Sequence, residues 1–345
     1  MTNEPDDVLS REVTVRANLD ENGLEVASRS RMVAAFDRML GSIMDWPAAF
    51  FEGKARKRRV RDAIHEQLLK VEGNAASARA IGMPTIGDRL LGNMLNDEAR
   101  KLGNRASVTI EAADALKQLP PPADPSDEEQ SSNRTAKVGE DWMNAFVRYA
   151  EDASSEDLQR LWGRVLAGEI KRPGAFSRRT LRFMAELDDE TARGCETISQ
   201  SAIANYVLAP SDKWARGELL ELCLEIQNLG LIEGVGANVN HRLEVDENGS
   251  ASFIGNTHAL AIRGTPGFLL PFDALPLTRL GREVFSLLPR PDEEKLLTEL
   301  AERFPKDKLT RIEIGHFVRT HSAGGLLNDQ RVIWEKDGLT PSPVG

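Results

Sequence analysis

The chain has 345 residues, enough for two or three domains, and its 41% hydrophobic and 28% charged residues are ordinary for a soluble globular protein. A formal net charge of −10 argues against a protein built wholly to coat nucleic acid, while leaving room for a local basic patch. The two cysteines, Cys195 and Cys223, make neither a disulfide framework nor a metal cluster, and each sits within a helical pattern as a small hydrophobe.

Residues 1–26 lack sustained periodicity and read as a mobile leader. Met1–Asp7 is acidic and polar, so no secretory signal is expected, and no long uncharged apolar run predicts a spanning helix. A cytoplasmic location is the expectation. Residues 27–119 read as a helical arm. Met32, Ala35, Phe36, Met39, Leu40 and Ile43 form one apolar stripe, and Val60, Ile64, Leu68 and Val71 form a second. A third helix is predicted over Leu95–Leu119. The arm carries a basic run, Lys54, Arg56, Lys57, Arg58, Arg59 and Arg61, just after an aromatic amphipathic segment. The favoured reading is a solvated helix face paired with acidic neighbours. An anionic membrane surface and the phosphates of nucleic acid are the two functional alternatives.

Pro120-Pro121-Pro122 and the acidic, serine-rich run after it cannot continue a helix and have nothing to bury, so residues 120–136 read as a linker. The next stretch, 137–210, predicts a compact helical domain. Trp142, Phe146 and Tyr149 share a helix face. Ser154 is placed to cap the following helix, whose stripe is Leu158, Leu161, Trp162, Val165 and Leu166. Pro173-Gly174 ends that helix. Ser177 caps the third, with Phe176 and Leu181 at hydrophobic-staple spacing, and Asp188 caps a fourth.

The pattern Trp142…Phe146, Leu158…Leu161-Trp162-Gly163, Leu166-Ala167-Gly168-Glu169-Ile170, Pro173-Gly174-Ala175-Phe176-Ser177 and Arg179-Thr180-Leu181 resembles the bacterial domain of unknown function 2806 family. More distantly it is similar to the alpha-type abortive-infection proteins of phage defence. The resemblance implies a cytoplasmic bacterial protein with a possible role in defence. It brings no catalytic residues with it.

Residues 211–289 read as a winged-helix-like module. The amphipathic helix Trp214–Ile232 ends in Leu-Gly-Leu-Ile. Arg242–Asp246 alternates like a strand, Glu247-Asn248-Gly249 is a hairpin signal, and Ala251–Ile254 and Thr257–Ile262 are further strands. Leu277-Thr278-Arg279-Leu280-Gly281-Arg282-Glu283-Val284 then opens a helix capped by Thr278. The candidate recognition helix carries Glu218, Glu221 and Glu225 against only Lys213 and Arg216, which favours protein over DNA as its partner. Residues 290–335 read as a small α/β lobe and 336–345 as a frayed tail. The fold class expected is mainly α, with a winged-helix-like α/β C-terminal region.

No motif for chemistry stands out. Gly234 and Gly236 lie in the wrong order of elements for a dinucleotide turn, His65-Glu66 lacks a metal-binding partner, and His316 and His321 are spaced unsuitably for a shared metal. Asp157…Glu169-Ile170-Lys171 mimics a nuclease signature, but on a helix Glu169 and Lys171 point about 200° apart. The bland reading is a helix end with a solvated charge pair. No cofactor, metal or catalytic residue is expected. The expected function is a non-enzymatic interaction or regulatory protein, with a DNA-binding regulator and a peripheral membrane protein as alternatives.

Overall fold

The computed structural model describes residues 22–40, 66, 86–118, 137–208, 217–237, 240–319 and 325–336. The helices are α1 (Asn22–Leu40), α2 (Ile86–Gln118), α3 (Glu140–Ala150), α4 (Glu156–Lys171), α5 (Arg178–Ala185), α6 (Asp189–Ser199), α7 (Glu218–Asn228), α8 (Arg279–Phe285) and α9 (Glu293–Arg303). The strands are β1 (Ala202–Ile203), β2 (Tyr206–Leu208), β3 (Asn240–Glu244), β4 (Ser250–Ile254), β5 (His258–Gly264), β6 (Leu269–Pro276), β7 (Leu309–Arg319) and β8 (Gly325–Glu335).

About half of the described residues are helical and about a quarter are strand, in two antiparallel four-stranded sheets. The expectation of a mainly α protein is therefore wrong. Two features hid the strands. β6 carries Pro271 and Pro276, which argue against a central strand because proline offers no ladder donor. Yet β6 lies between β2 and β3, with Pro271 opposite Arg242 and Pro276 opposite Tyr206. β1 and β2 are only two and three residues long, too short for alternation to be visible.

The expected wing is also replaced. β3 does not pair with the strand that follows it. The Glu247-Asn248-Gly249 turn is made, with Asp246 Oδ1 accepting from the amides of Asn248 and Ser250 at 2.9 and 2.8 Å. It is a corner between sheets. β3 pairs with β6 in one sheet, and β4 pairs with β5 in the other. β5 in turn pairs with β7 and β7 with β8, so the segment after residue 290 completes a sheet begun at residue 250.

Three cores result. The first joins Phe36 and Met39 of α1, Val108 and Ala112 of α2, Trp142 and Phe146 of α3, Trp162 and Leu166 of α4 and Leu181 of α5. Helices on both sides of the linker stretch thus share one interior. Trp142 stacks on Phe146 at 5.1 Å, Phe146 meets Trp162 edge-on at 5.5 Å, and Tyr149 stacks on Trp162 at 5.9 Å. α2 and α4 approach backbone to backbone at Gly163, where a Cβ would lie 2.8 Å from the Ala112 nitrogen.

The second core lies between both sheets and α9, around Phe253, Leu260, Leu270, Leu297 and Ile312. The third holds α6, α7 and α8 against the ends of β2 and β6, with Cys195, Cys223, Ile226, Leu231, Leu277 and Val284. Both cysteines are free and buried there, and burial pushes each thiol pKa up to about 12.

Ser177, Asp188 and Thr278 cap their helices as the spacing predicts, each accepting from the amide three residues on. The cap of α4 is Ser155 rather than Ser154; its oxygen accepts from the Leu158 amide at 3.3 Å. The run Lys54–Arg61, His65 and His321 lie outside the described residues, so the membrane and nucleic-acid readings of that run rest on sequence.

Candidate functional site at the helical–sheet junction

The site begins at the last turn of α4. Glu169 is 2% exposed, not solvated as its sequence context suggests. Its Oε1 accepts from the Gly174 amide at 2.7 Å and its Oε2 from the Phe176 amide at 3.1 Å. The chain after α4 therefore turns back around a carboxylate of its own helix. Phe176 lays its ring against Gly168, where a Cβ would be 2.6 Å from the ring. The Phe176 carbonyl accepts from Trp142 Nε1 at 2.7 Å. The signature residues Trp142, Gly168, Gly174 and Phe176 thus meet at one point, Pro173 and Ser177 lie in the same loop, and Leu181 packs in the first core. Leu158, Leu161, Trp162 and Leu166 pack in the same core behind it.

A second carboxylate reaches the same loop from α8. Glu283, 8% exposed, accepts from the Ser177 amide at 2.7 Å and from the Thr180 hydroxyl through Oε2, and from Arg279 Nε at 2.7 Å through Oε1. The two carboxylates titrate in opposite directions. Burial lifts the Glu169 pKa above the ordinary value against the pull of the Gly174 and Phe176 amides, and repulsion from Glu283 adds to the rise. Burial also pushes Glu283 upward, but the Ser177 amide, the Thr180 hydroxyl and Arg279 together hold it below the ordinary value. Nothing in the sequence distinguishes Glu283 from a surface i, i+4 partner of Arg279.

Beside this clamp lies an open cleft of about 380 Å³, lined by Arg179 of α5, Gln227 and Gly230 at the end of α7, Ile232, Glu233, Gly234 and Thr278. Gly230 has φ +77°, the left-handed region that glycine enters without penalty, and one nitrogen of the Arg179 guanidinium approaches it. A Cβ on Gly230 would be 2.9 Å from Arg179 Nη2. Thr278 Oγ1 donates to the Gly230 carbonyl at 2.6 Å, which ties α8 to the end of α7. Gly281 packs against the Leu231 carbonyl, so the Leu-Thr-x-x-Gly-x-x-Val pattern records a contact between α8 and the turn after α7.

The other sequence candidates are not brought together. Asp157 is exposed and pairs with Arg160 at 2.9 Å, one helix length from Glu169, whose oxygens are taken by the Gly174 and Phe176 amides. Gly234 and Gly236 form the loop between α7 and β3. His316 lies against His258 across the β5–β7 pair, with ring centroids 4.5 Å apart and planes tilted by 31°. Among the described residues no three His, Cys, Asp or Glu side chains are grouped to hold a metal, and no helix is long and apolar enough to cross a membrane.

A third buried glutamate was hidden in the acidic first turn of α9. Glu293 accepts from the amides of Asn256, Thr257 and His258 at 3.0, 2.8 and 3.2 Å and from Asn256 Nδ2 at 2.7 Å, closing the turn between β4 and β5. Its pKa, raised by burial, is pulled below the ordinary value by those donors.

No curated protein matches the chain. No solved structure matches it either. Residues 123–207, which span α3 to β2 and hold Glu169 and its loop but not Glu283, match the model of the family described as protein of unknown function (DUF2806).

Proposed function

We propose that this chain is a non-enzymatic interaction or regulatory protein that holds another macromolecule on a rigid scaffold. The observation that carries the reading is how Glu169, Glu283 and Glu293 are used. Each spends its oxygens on amides, hydroxyls or a guanidinium of its own fold. A general acid or metal ligand needs a free oxygen aimed at substrate, and these have been drawn into architecture.

A protein is the favoured partner. The exposed side of α7 presents Glu218, Glu221, Leu224 and Glu225, a combination that repels phosphate and suits a mixed polar and apolar contact. The similarity to abortive-infection proteins offers phage defence as the setting, and a cytoplasmic location goes with it.

The test is a photo-crosslinker installed at Leu224 in cells that make the protein. The expected result is one protein adduct of reproducible mass that disappears in Glu221→Lys/Glu225→Lys. A salt-sensitive gel shift of duplex DNA by the pure chain would replace this reading with a DNA-binding one. A turnover abolished in folded Glu169→Gln would replace both with an enzyme.

A further inference from the structure

The cleft beside the clamp has a chemistry that the macromolecular reading does not use. Arg179 is exposed on the first turn of α5 and forms no ion pair with any described residue, although its neighbours Arg182 and Arg279 are paired with Glu186 and Glu283. Glu233, on the same cleft, is exposed and forms no ion pair with a described residue either. Arg179 and Glu233 therefore face one cleft without neutralising each other. Gln227 adds a polarised donor: its Oε1 accepts from the Val235 amide at 2.7 Å, which fixes the amide plane and leaves its NH2 unclaimed by any described acceptor. The cleft also lies at the C-terminal end of α7, the negative pole of that helix.

We infer that this cleft binds a small zwitterion of the amino-acid class. The carboxylate pairs with the Arg179 guanidinium, with the Gln227 amide beside it, and the ammonium group lies toward Glu233. A plain dianion would face Glu233, and a plain cation would face Arg179. A molecule with both charges on one short carbon frame satisfies both walls. The volume of about 380 Å³ falls in the usual range for small-molecule sites. Because the walls come from α5, the α7–β3 turn and Thr278 at the start of α8, an occupant would bridge the helical unit and the sheet-bearing part of the chain.

The experiment titrates the full chain with the standard L-amino acids at millimolar concentration, read by calorimetry and by thermal unfolding. Acetate, methylammonium, inorganic phosphate and the N-acetyl and methyl-ester forms of any binder serve as comparisons. The expected result is saturable binding by at least one amino acid, with a raised Tm. Blocking either end of the ligand should weaken it by about tenfold or more, a loss of about 1.4 kcal/mol. Arg179→Gln and Glu233→Gln should each do the same, with binding measured at a temperature where each ligand-free variant is folded. Three outcomes overturn the inference: no saturable binding by any amino acid, binding indifferent to both blocked ends, or phosphate or acetate binding as tightly as the zwitterion. None of these bears on the crosslinking test at Leu224, so the two readings fail separately.

Discussion

At the scale of single residues, two positions carry more than their type suggests. Gly163 sits where α4 crosses α2, and an added methyl would meet the backbone at Ala112 rather than a side chain that can swing away. Gly163→Ala gains helix propensity yet should lower stability by about 1–3 kcal/mol through overpacking, measured as a fall in the urea midpoint at unchanged m-value. Glu169 is the second. Replacing it with Gln keeps one acceptor but turns an NH2 toward one of the two amides at Gly174 and Phe176, for a cost of about 1–3 kcal/mol. The pH dependence gives a sharper check. The folded pKa of Glu169 is raised, so above the ordinary glutamate value of 4.5 the folded state holds more protons than the unfolded state. Its contribution to stability therefore falls as pH rises from there through the folded pKa. Gln has no such term. The stability deficit of Glu169→Gln relative to the unmutated chain should be largest near pH 4.5 and shrink on going up in pH; a deficit that grows would refute the burial account.

At the scale of elements, caps and stripes were legible and strands were not. Ser177, Asp188 and Thr278 are read correctly because a cap depends on neighbours three residues away. Trp142, Phe146 and Trp162 are read correctly because a helix repeats its face within a single segment. β6 fails on both counts. Its prolines contradict the local rule, and its partners β3 and β2 both lie earlier in the chain, with paired residues 25 to 70 positions apart. The turn signal at Asn248-Gly249 was right about the turn and silent about which strands it serves, since pairing is a long-range choice. Glu293 marks the same boundary: its place in a helix first turn is local, but its hold on the Asn256–His258 turn is not. Glu293→Ala should leave α9 formed, because Asp292 still caps it by accepting from Lys295. The amides of Asn256, Thr257 and His258 should then exchange with solvent at least about tenfold faster, reflecting a local loss of about 1.4 kcal/mol or more. Unchanged exchange at those three amides would mean that the turn holds itself.

At the scale of the whole molecule, the sequence divides at Pro120–Pro122, but the described structure does not divide there. α1 and α2 enter the same core as α3, α4 and α5. The junction that shapes the candidate site lies further on, between the helical unit and α8, and Glu283 is its polar link. The matched family segment ends at residue 207, so Ser177 and Thr180 within it find their carboxylate outside it. No reading of the segment alone could supply that partner. The consequence can be tested as a coupling. Thr180→Val removes the hydroxyl, Glu283→Gln removes the charge, and the double variant removes both. Groups with no shared partner add to within about 0.3–0.5 kcal/mol, whereas this pair should show a coupling of about 1 kcal/mol or more. The sign of its pH dependence is opposite to that of Glu169. The folded pKa of Glu283 is lowered, so its stabilisation is full above the ordinary glutamate value of 4.5 and is lost as pH falls through the folded pKa. Urea unfolding of the four proteins at neutral pH and in mild acid measures both. A coupling that vanishes in acid with the two single-variant losses identifies Glu283 as the charged tie between the two parts; simple additivity at neutral pH would mean that the Thr180 hydroxyl adds nothing to that tie, leaving α8 to the Thr278–Gly230 bond and the apolar contacts of Leu280, Val284 and Phe285.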